Sequence, residues 1–223
     1  MNSVIIVAGG KGLRMGTKTP KQFLVLRSEP VLMHTIRAFY NWDNSCEIIL
    51  VLPASQQSYW QILLNEYDFD IPVKITSGGE TRFHSVKNGL RHASGELIGI
   101  HDGVRPLVSE ETIKNCFDVA KKEGNAIPCL PINDSLRVVE NSLNKRADRS
   151  KYFRVQTPQV FKRELIMKGF EQEFTDEFTD DASVVEKLGE RIQLVEGNEE
   201  NIKITRAFDL KIAEIFLEEL HSV

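Results

Sequence analysis

Cysteine is scarce and unpaired in this chain of 223 residues: Cys46, Cys116 and Cys129 stand singly, with no C-x-x-C spacing. That pattern excludes a disulfide framework and a cysteine-built zinc site, and it fits a reducing, cytoplasmic setting. Long apolar runs are also lacking. No stretch approaches the ~20 residues of a membrane span, and the first apolar run is short and followed by glycines, so neither a membrane partner nor a secretion signal is expected. Positive charge is not in excess either; a formal net charge of −4 argues against a general nucleic-acid binder. Repeats, low-complexity tracts and flexible linkers are missing as well. With 41% hydrophobic and 27% charged residues, the chain is expected to form a single globular domain over residues 1–223 that buries a sizeable core.

What is present is concentrated first at residues 4–23. Val4 to Val7 read as a buried parallel strand, and Ala8-Gly9-Gly10-Lys11-Gly12 follow at once. Glycines let main-chain N–H groups approach an anion, and Lys11, Arg14, Lys18 and Lys21 add four cations around the same turn. The natural guest is a polyphosphate. A Walker A loop has no register here, since Met15 and Thr17 stand where G-x-x-x-x-G-K-[ST] needs its second glycine. The dinucleotide fingerprint G-x-G-x-x-G also requires a glycine at Met15 and a helix straight after the turn, whereas Thr19-Pro20 holds the chain extended.

Further along, strand patterns at 4–8, 47–52, 73–76, 97–101 and 126–130 alternate with helix patterns at 31–40, 56–66, 82–92 and 110–122. This rhythm predicts an α/β fold, Rossmann-like, with a mostly parallel sheet flanked by helices. Ligands of such sheets bind off the carboxyl ends of the strands, which puts the loops 9–22, 78–82 and 102–106 on one rim. After Leu130 the rhythm breaks. Residues 134–139 and 152–156 read as strands flanking a polar segment 140–151, which predicts a protruding β-hairpin arm over 131–151. Helices resume at 162–170 and 181–188, the latter with Thr179 or Asp180 as N-cap, followed by a strand at 192–196 and a helix from 207 to about 220.

Two more rim segments carry chemistry. Gly78-Gly79-Glu80-Thr81-Arg82 opens a helix with free backbone N–H groups, where a base or ribose could be gripped by main chain and by the Ser85 hydroxyl; the alternative is a plain β-to-α turn. Asp102, ending the strand Ile98-Gly99-Ile100-His101, suits Mg²⁺, which takes oxygen ligands and keeps waters and phosphate oxygens in its shell; the alternative is a cap of the following turn. His101 is read as structural.

The segment A-G-G-x-G-x-R-M followed by P-K-Q-F resembles the signature of sugar- and polyol-phosphate nucleotidyltransferases. Joined by Thr157-Pro158-Gln159, Thr179-Asp180-Asp181-Ala182-Ser183 and Asn201-Ile202-Lys203-Ile204-Thr205, it resembles more narrowly the 2-C-methyl-D-erythritol 4-phosphate cytidylyltransferases of non-mevalonate isoprenoid biosynthesis. The resemblance implies a nucleotidyltransferase (GT-A-like) fold and transfer of CMP from CTP to a polyol phosphate with Mg²⁺. It assigns charge stabilisation to Arg14 and Lys21, nucleotide contacts to Ala8, Gly9, Gly10, Gly12, Gly79, Glu80 and Ser85, the metal to Asp102, and the orienting of the attacking phosphate to Arg149 and Lys203. It further implies a homodimer joined through the arms, with Ser135, Arg149 and Arg105 serving the neighbour's substrate or the dimer contact. Ribitol 5-phosphate cytidylyltransferases share the A-G-G and H-D-x-V-R-P patterns and stand as the alternative, beside a non-catalytic nucleotide-binding domain.

Overall fold

The computed structural model describes residues 1–10 and 19–220. Strand β1 (Asn2–Val7) lies at the centre of an eight-stranded sheet, because its run NSVIIV offers apolar side chains to both faces. Val4 and Ile6 enter the core on one side and Ile5 the core on the other. Parallel to β1 run β4 (Glu47–Leu52) and β6 (Leu97–Asp102), and β5 (Lys74–Ser77) is parallel to β4. On one face, α1 (Val31–Trp42), α2 (Ala54–Glu66) and α4 (Glu110–Glu123) supply Leu32, Ile36, Phe39, Trp60, Ile113 and Phe117. The opposite face is covered by α3 (Arg82–Leu90), α5 (Arg163–Gly169) and α6 (Asp181–Glu186). A third cluster, of Leu26, Val31, Val104, Ile204 and Leu217, seats the last helix, α7 (Ala207–Leu220), behind the strand ends.

Local signals fix the helix ends. Helix α4 starts at Ser109, whose hydroxyl accepts from the Thr112 N–H; it carries Glu110 and Glu111 in its first turn, Lys121 and Lys122 in its last, and stops at Gly124 with φ of 99°. That is the charge order the helix dipole favours, closed by a left-handed glycine. Helix α6 opens with a capping box in which Asp180 and Ser183 satisfy each other's backbone N–H.

The segment after Leu130 differs from expectation. Strand β7 (Asn125–Pro131) leads into β8 (Arg137–Glu140), which pairs with β9 (Leu143–Arg146), so the hairpin closes inside the segment expected to be merely polar. Its two-residue turn, Asn141-Ser142, has positive φ at both positions, the geometry that tight hairpins require. Residues expected to return along the hairpin instead form β10 (Phe153–Val155), antiparallel to β7 on the sheet edge. Strand β11 (Gln159–Lys162), unforeseen, runs antiparallel between β6 and β7, and β12 (Leu194–Glu196) lies parallel to β7. A further small hairpin joins β2 (Val25–Leu26) and β3 (Glu29–Pro30).

One buried carboxylate ties the amino ends of the strands. Glu47 accepts hydrogen bonds from Ser3, Lys74 and both the N–H and the hydroxyl of Ser94. Burial pushes its pKa up, but these bonds outweigh burial and hold it down at about 2. A depressed carboxylate stabilises the fold above its unfolded pKa of ~4.3 and loses that contribution as pH falls toward 2. Glu47→Gln is therefore expected to cost about 2 kcal/mol in urea unfolding at pH 7, with the deficit shrinking steadily below pH ~4; a deficit independent of pH contradicts the assignment.

Candidate active site

The carboxyl ends of β1 and β6 open into a cavity of about 260 Å³. Its walls come from the rim loops expected from the sequence: Ala8, Gly9 and Gly10 after β1, Gly79 and Glu80 before α3, Ser85 on α3, and Asp102 at the end of β6. Lys21 joins them from a short 3-10 turn, Lys21–Phe23, that follows the extended Pro20. Lys203 reaches in from a segment more than a hundred residues further along the chain. Gly12 and Arg14 lie within residues 11–18, outside the described residues. A larger cavity of about 660 Å³, lined by Met1, Asn2, Trp42 and Phe117, lies at the opposite, amino ends of the strands, away from the glycine loops.

Glycine is needed at 79 for a steric reason. A Cβ there would lie 2.4 Å from Cβ of His84, so only glycine lets the loop pack against the first turn of α3. Ser85 acts inside this loop: its hydroxyl accepts from the Gly79 N–H at 3.0 Å and donates to Thr81 O at 3.0 Å. The hydroxyl expected to grip a ribose thus holds the loop that forms the cavity wall.

Asp102 is the electrostatic centre. It is 7% exposed; its Oδ2 accepts from Lys203 Nζ at 3.0 Å and Arg105 Nε at 3.2 Å, while Oδ1 lies 3.8 Å from Arg82 Nε. Burial pushes its pKa up, but the charges of Arg82, Lys203 and Arg105 more than reverse this and hold it well below the usual carboxylate range. Asp102 is therefore ionised at neutral pH. Lys21 Nζ donates to Ile204 O at 3.0 Å, and the Ile204 N–H donates to Val104 O at 2.9 Å, so Lys21 and the Lys203 segment are anchored together beside the β6 turn. Among the described residues no cluster of three His, Cys, Asp or Glu side chains forms a stand-alone metal cage. A single carboxylate with the less committed Oδ1 fits Mg²⁺ in the manner that completes its shell with phosphate oxygens and waters.

A second cavity of about 200 Å³ adjoins the first and is lined by Arg105, Gln156, Thr157, Gln159 and Asp180. Arg82, Asp102 and Lys203 belong to both. Arg105 is tied within its own chain, through Asp102 and through Nη1 to Asn201 O at 2.8 Å, rather than reaching outward. Ser135 and Arg149 line neither cavity. They share a groove at the base of the hairpin with Arg137 and Arg146, where the Arg149 guanidinium donates to Asn133 O.

Support behind the site was only partly visible in the sequence. The Asp102 N–H donates to Thr157 Oγ1 at 3.1 Å, Thr157 Oγ1 meets His101 Nδ1 at 3.0 Å, and His101 Nε2 meets Arg105 O at 3.1 Å. A carbonyl only accepts, so Nε2 carries the proton and Nδ1 accepts from the threonine. Burial pushes the His101 pKa down to about 4, with the hydrogen bonds opposing only in part, so the ring is neutral. The structural reading of His101 thus has a specific content: it fixes the turn from Asp102 to Arg105. Removing the hydroxyl in Thr157→Val leaves two buried groups unpaired, for an expected loss of about 2–4 kcal/mol in stability and a fall in kcat of ~10-fold; Thr157→Ser is expected to restore both. Equal defects in the two variants, read by urea unfolding and initial rates, would assign the effect to the methyl group.

The sequence model of the 2-C-methyl-D-erythritol 4-phosphate cytidylyltransferase family matches residues 2–219. The chain belongs to this family. A 2-C-methyl-D-erythritol 4-phosphate cytidylyltransferase of Phocaeicola vulgatus is 54% identical over 96% of this chain and 98% of the relative, and one of Bacillus cereus is 38% identical over 97% and 98%. Among solved structures, 4-diphosphocytidyl-2C-methyl-D-erythritol synthase of Anaerococcus prevotii superposes with a TM-score of 0.83 at 29% identity, covering 97% of this chain and 96% of that one. The cytidylyltransferase of Thermus thermophilus gives 0.79 at 30%, covering 97% and 98%. Family membership therefore rests on the whole α/β domain and not on the glycine loop alone.

Proposed function

We propose that the cavity beside the glycine loop takes CTP, that the adjoining one takes 2-C-methyl-D-erythritol 4-phosphate, and that the two phosphates meet beside Asp102 and Lys203. The chain is a cytidylyltransferase: it transfers CMP from CTP to this acceptor, giving 4-diphosphocytidyl-2-C-methyl-D-erythritol and pyrophosphate. The observation that carries the site assignment is that Gly9, Gly10, Lys21 and the buried, ionised Asp102 with its partner Lys203 line one cavity at the strand ends.

A phosphate oxygen of the acceptor attacks the α-phosphorus of CTP, and pyrophosphate leaves in line. No general base is needed, since a phosphate monoester with a second pKa of ~6 is already ionised at pH 7. The difficulty is anion meeting anion, so catalysis consists of positioning and charge stabilisation. Backbone N–H groups of Gly9 and Gly10 face the triphosphate, Lys21 and Arg14 offset charge that develops on it, and Lys203 orients the attacking phosphate. Asp102 would hold Mg²⁺, and a bound ion would supply neutralisation of charge along the triphosphate.

The exposed side chains of Val139, Leu143, Tyr152 and Phe153 around the hairpin and the sheet edge support a homodimer through the arm, in which Ser135 and Arg149 serve the partner's acceptor site. Three buried, unpaired thiols and the lack, among the described residues, of a helix able to cross a membrane support a cytoplasmic location. EDTA is expected to abolish pyrophosphate release and added Mg²⁺ to restore it. Asp102→Asn is expected to raise the Mg²⁺ concentration needed, or to end turnover; an unchanged Mg²⁺ dependence would move the metal away from Asp102.

A further inference from the structure

We infer that Arg82 is a further catalytic residue, a cation facing the phosphates where the two cavities meet, and that Asp181 is a positioning residue that holds it there. The inference rests on the site assignment above. Arg82 opens α3 and is one of three residues, with Asp102 and Lys203, that line both cavities. A side chain on a wall common to both sits where the attacking phosphate and the α-phosphate of the nucleotide must approach.

Its orientation is fixed from behind. Nη1 donates to Asp181 Oδ1 at 2.8 Å and Nη2 to Asp181 Oδ2 at 2.6 Å, a two-pronged contact that locks the guanidinium plane. Asp181 is 1% exposed and is itself held: it sits in the first turn of α6, next to the capping residue Asp180, where Gln159 accepts from the Ala182 N–H and donates to Asp180 Oδ2. The fork uses two of the five guanidinium N–H groups. Nε stays 3.8 Å from Asp102 Oδ1, beyond hydrogen-bond distance, so Asp181 also keeps Arg82 from closing onto Asp102. A buried ion pair stabilises a fold weakly, because both ions lose their water. Orientation of a fixed cation is then the larger contribution of this one. Arginine suits it, since its planar guanidinium holds Asp181 with two parallel N–H groups and presents the others in a fixed direction, whereas a lysine ammonium is a compact point charge with no such plane.

The test measures kcat, both KM values, CTP affinity by direct titration and thermal stability for Arg82→Lys, Asp181→Asn and the double variant, each beside the wild-type protein. Arg82→Lys is expected to lower kcat by ~10²-fold while CTP affinity stays within about threefold. Asp181→Asn should lower kcat by ~10-fold, and the double variant should be no slower than Arg82→Lys, because Asp181 acts through Arg82. Should Asp181→Asn fail to fold, Arg82→Ala with added guanidinium replaces it, and recovery of rate by guanidinium but not by potassium is the expected result. A kcat of Arg82→Lys near wild type, losses that merely track the fraction folded, additive losses in the double variant, or no guanidinium rescue each overturn the inference. Absence of cytidylyl transfer by the wild-type protein would instead reject the underlying site assignment.

Discussion

Lys21→Ala and Lys203→Ala are each expected to lower kcat by ~10² to 10³ while leaving the affinity for CTP within a few fold. Each preorganised cation at a developing charge contributes ~3 kcal/mol to the barrier. The expectation follows from placement: Lys21 is 9% exposed and anchored to Ile204 O, and Lys203 bonds Asp102, so neither ammonium moves freely to follow a ligand. Fixed charges favour the state in which charge accumulates and add less to ground-state binding, where the triphosphate keeps part of its hydration. Lys203→Ala has a second effect, since it removes one of the cations that depress the Asp102 pKa. Initial rates with CTP titrations decide the matter: a rise in the CTP dissociation constant as large as the fall in kcat/KM would make these lysines binding residues only.

The second large effect concerns the arm. Arg149→Ala and Lys21→Ala proteins should each be inactive alone and regain activity when mixed. Arg149 opens a short 3-10 turn just after the hairpin and lies in the groove beside Ser135, outside the two cavities of its own chain; the hairpin's two strands pair only with each other. A two-stranded hairpin is marginal in water, and this one presents Val139 and Leu143 to solvent at 69% and 77% exposure, the surface that the proposed homodimer would cover. In a mixed dimer one site lacks both residues and the other has both. Random exchange at equal concentrations then restores about a quarter of wild-type activity. If subunit exchange is demonstrated and no activity returns, Arg149 serves its own subunit.

Much of this site can be read from the chain because the relevant signals are local. The run Val4 to Gly10 states a strand and the backbone-lined turn after it, and Ser109 and Gly124 mark the two ends of α4 within one stretch. The carboxyl-end rule then brings Lys21, Gly79 and Asp102 together without any knowledge of their distances. What escapes the sequence depends on long-range pairing. Strand β11 is four residues long, follows Pro158 and is buried between two strands, so it shows no alternation. A break in the alternation after Leu130 is legible but the bounds and turn of the hairpin there are not, since Asn141-Ser142 is a weaker turn signal than Asn-Gly. Arg82 and Asp181 stand 99 residues apart, and nothing local announces that pairing. Ser85 reads by its chemical type as a ligand group, whereas its hydrogen bonds belong to the loop itself.

The most direct test follows the phosphorus atoms. With CTP, 2-C-methyl-D-erythritol 4-phosphate and Mg²⁺, ³¹P NMR is expected to show the triphosphate and monoester signals giving way to pyrophosphate and a phosphodiester-linked diphosphate in equal amounts. The Asp102→Asn and Lys203→Ala proteins should show neither product over the same time. Orthophosphate and CDP as products, equal turnover of ribitol 5-phosphate, or full activity in both variants would contradict cytidylyl transfer at this site.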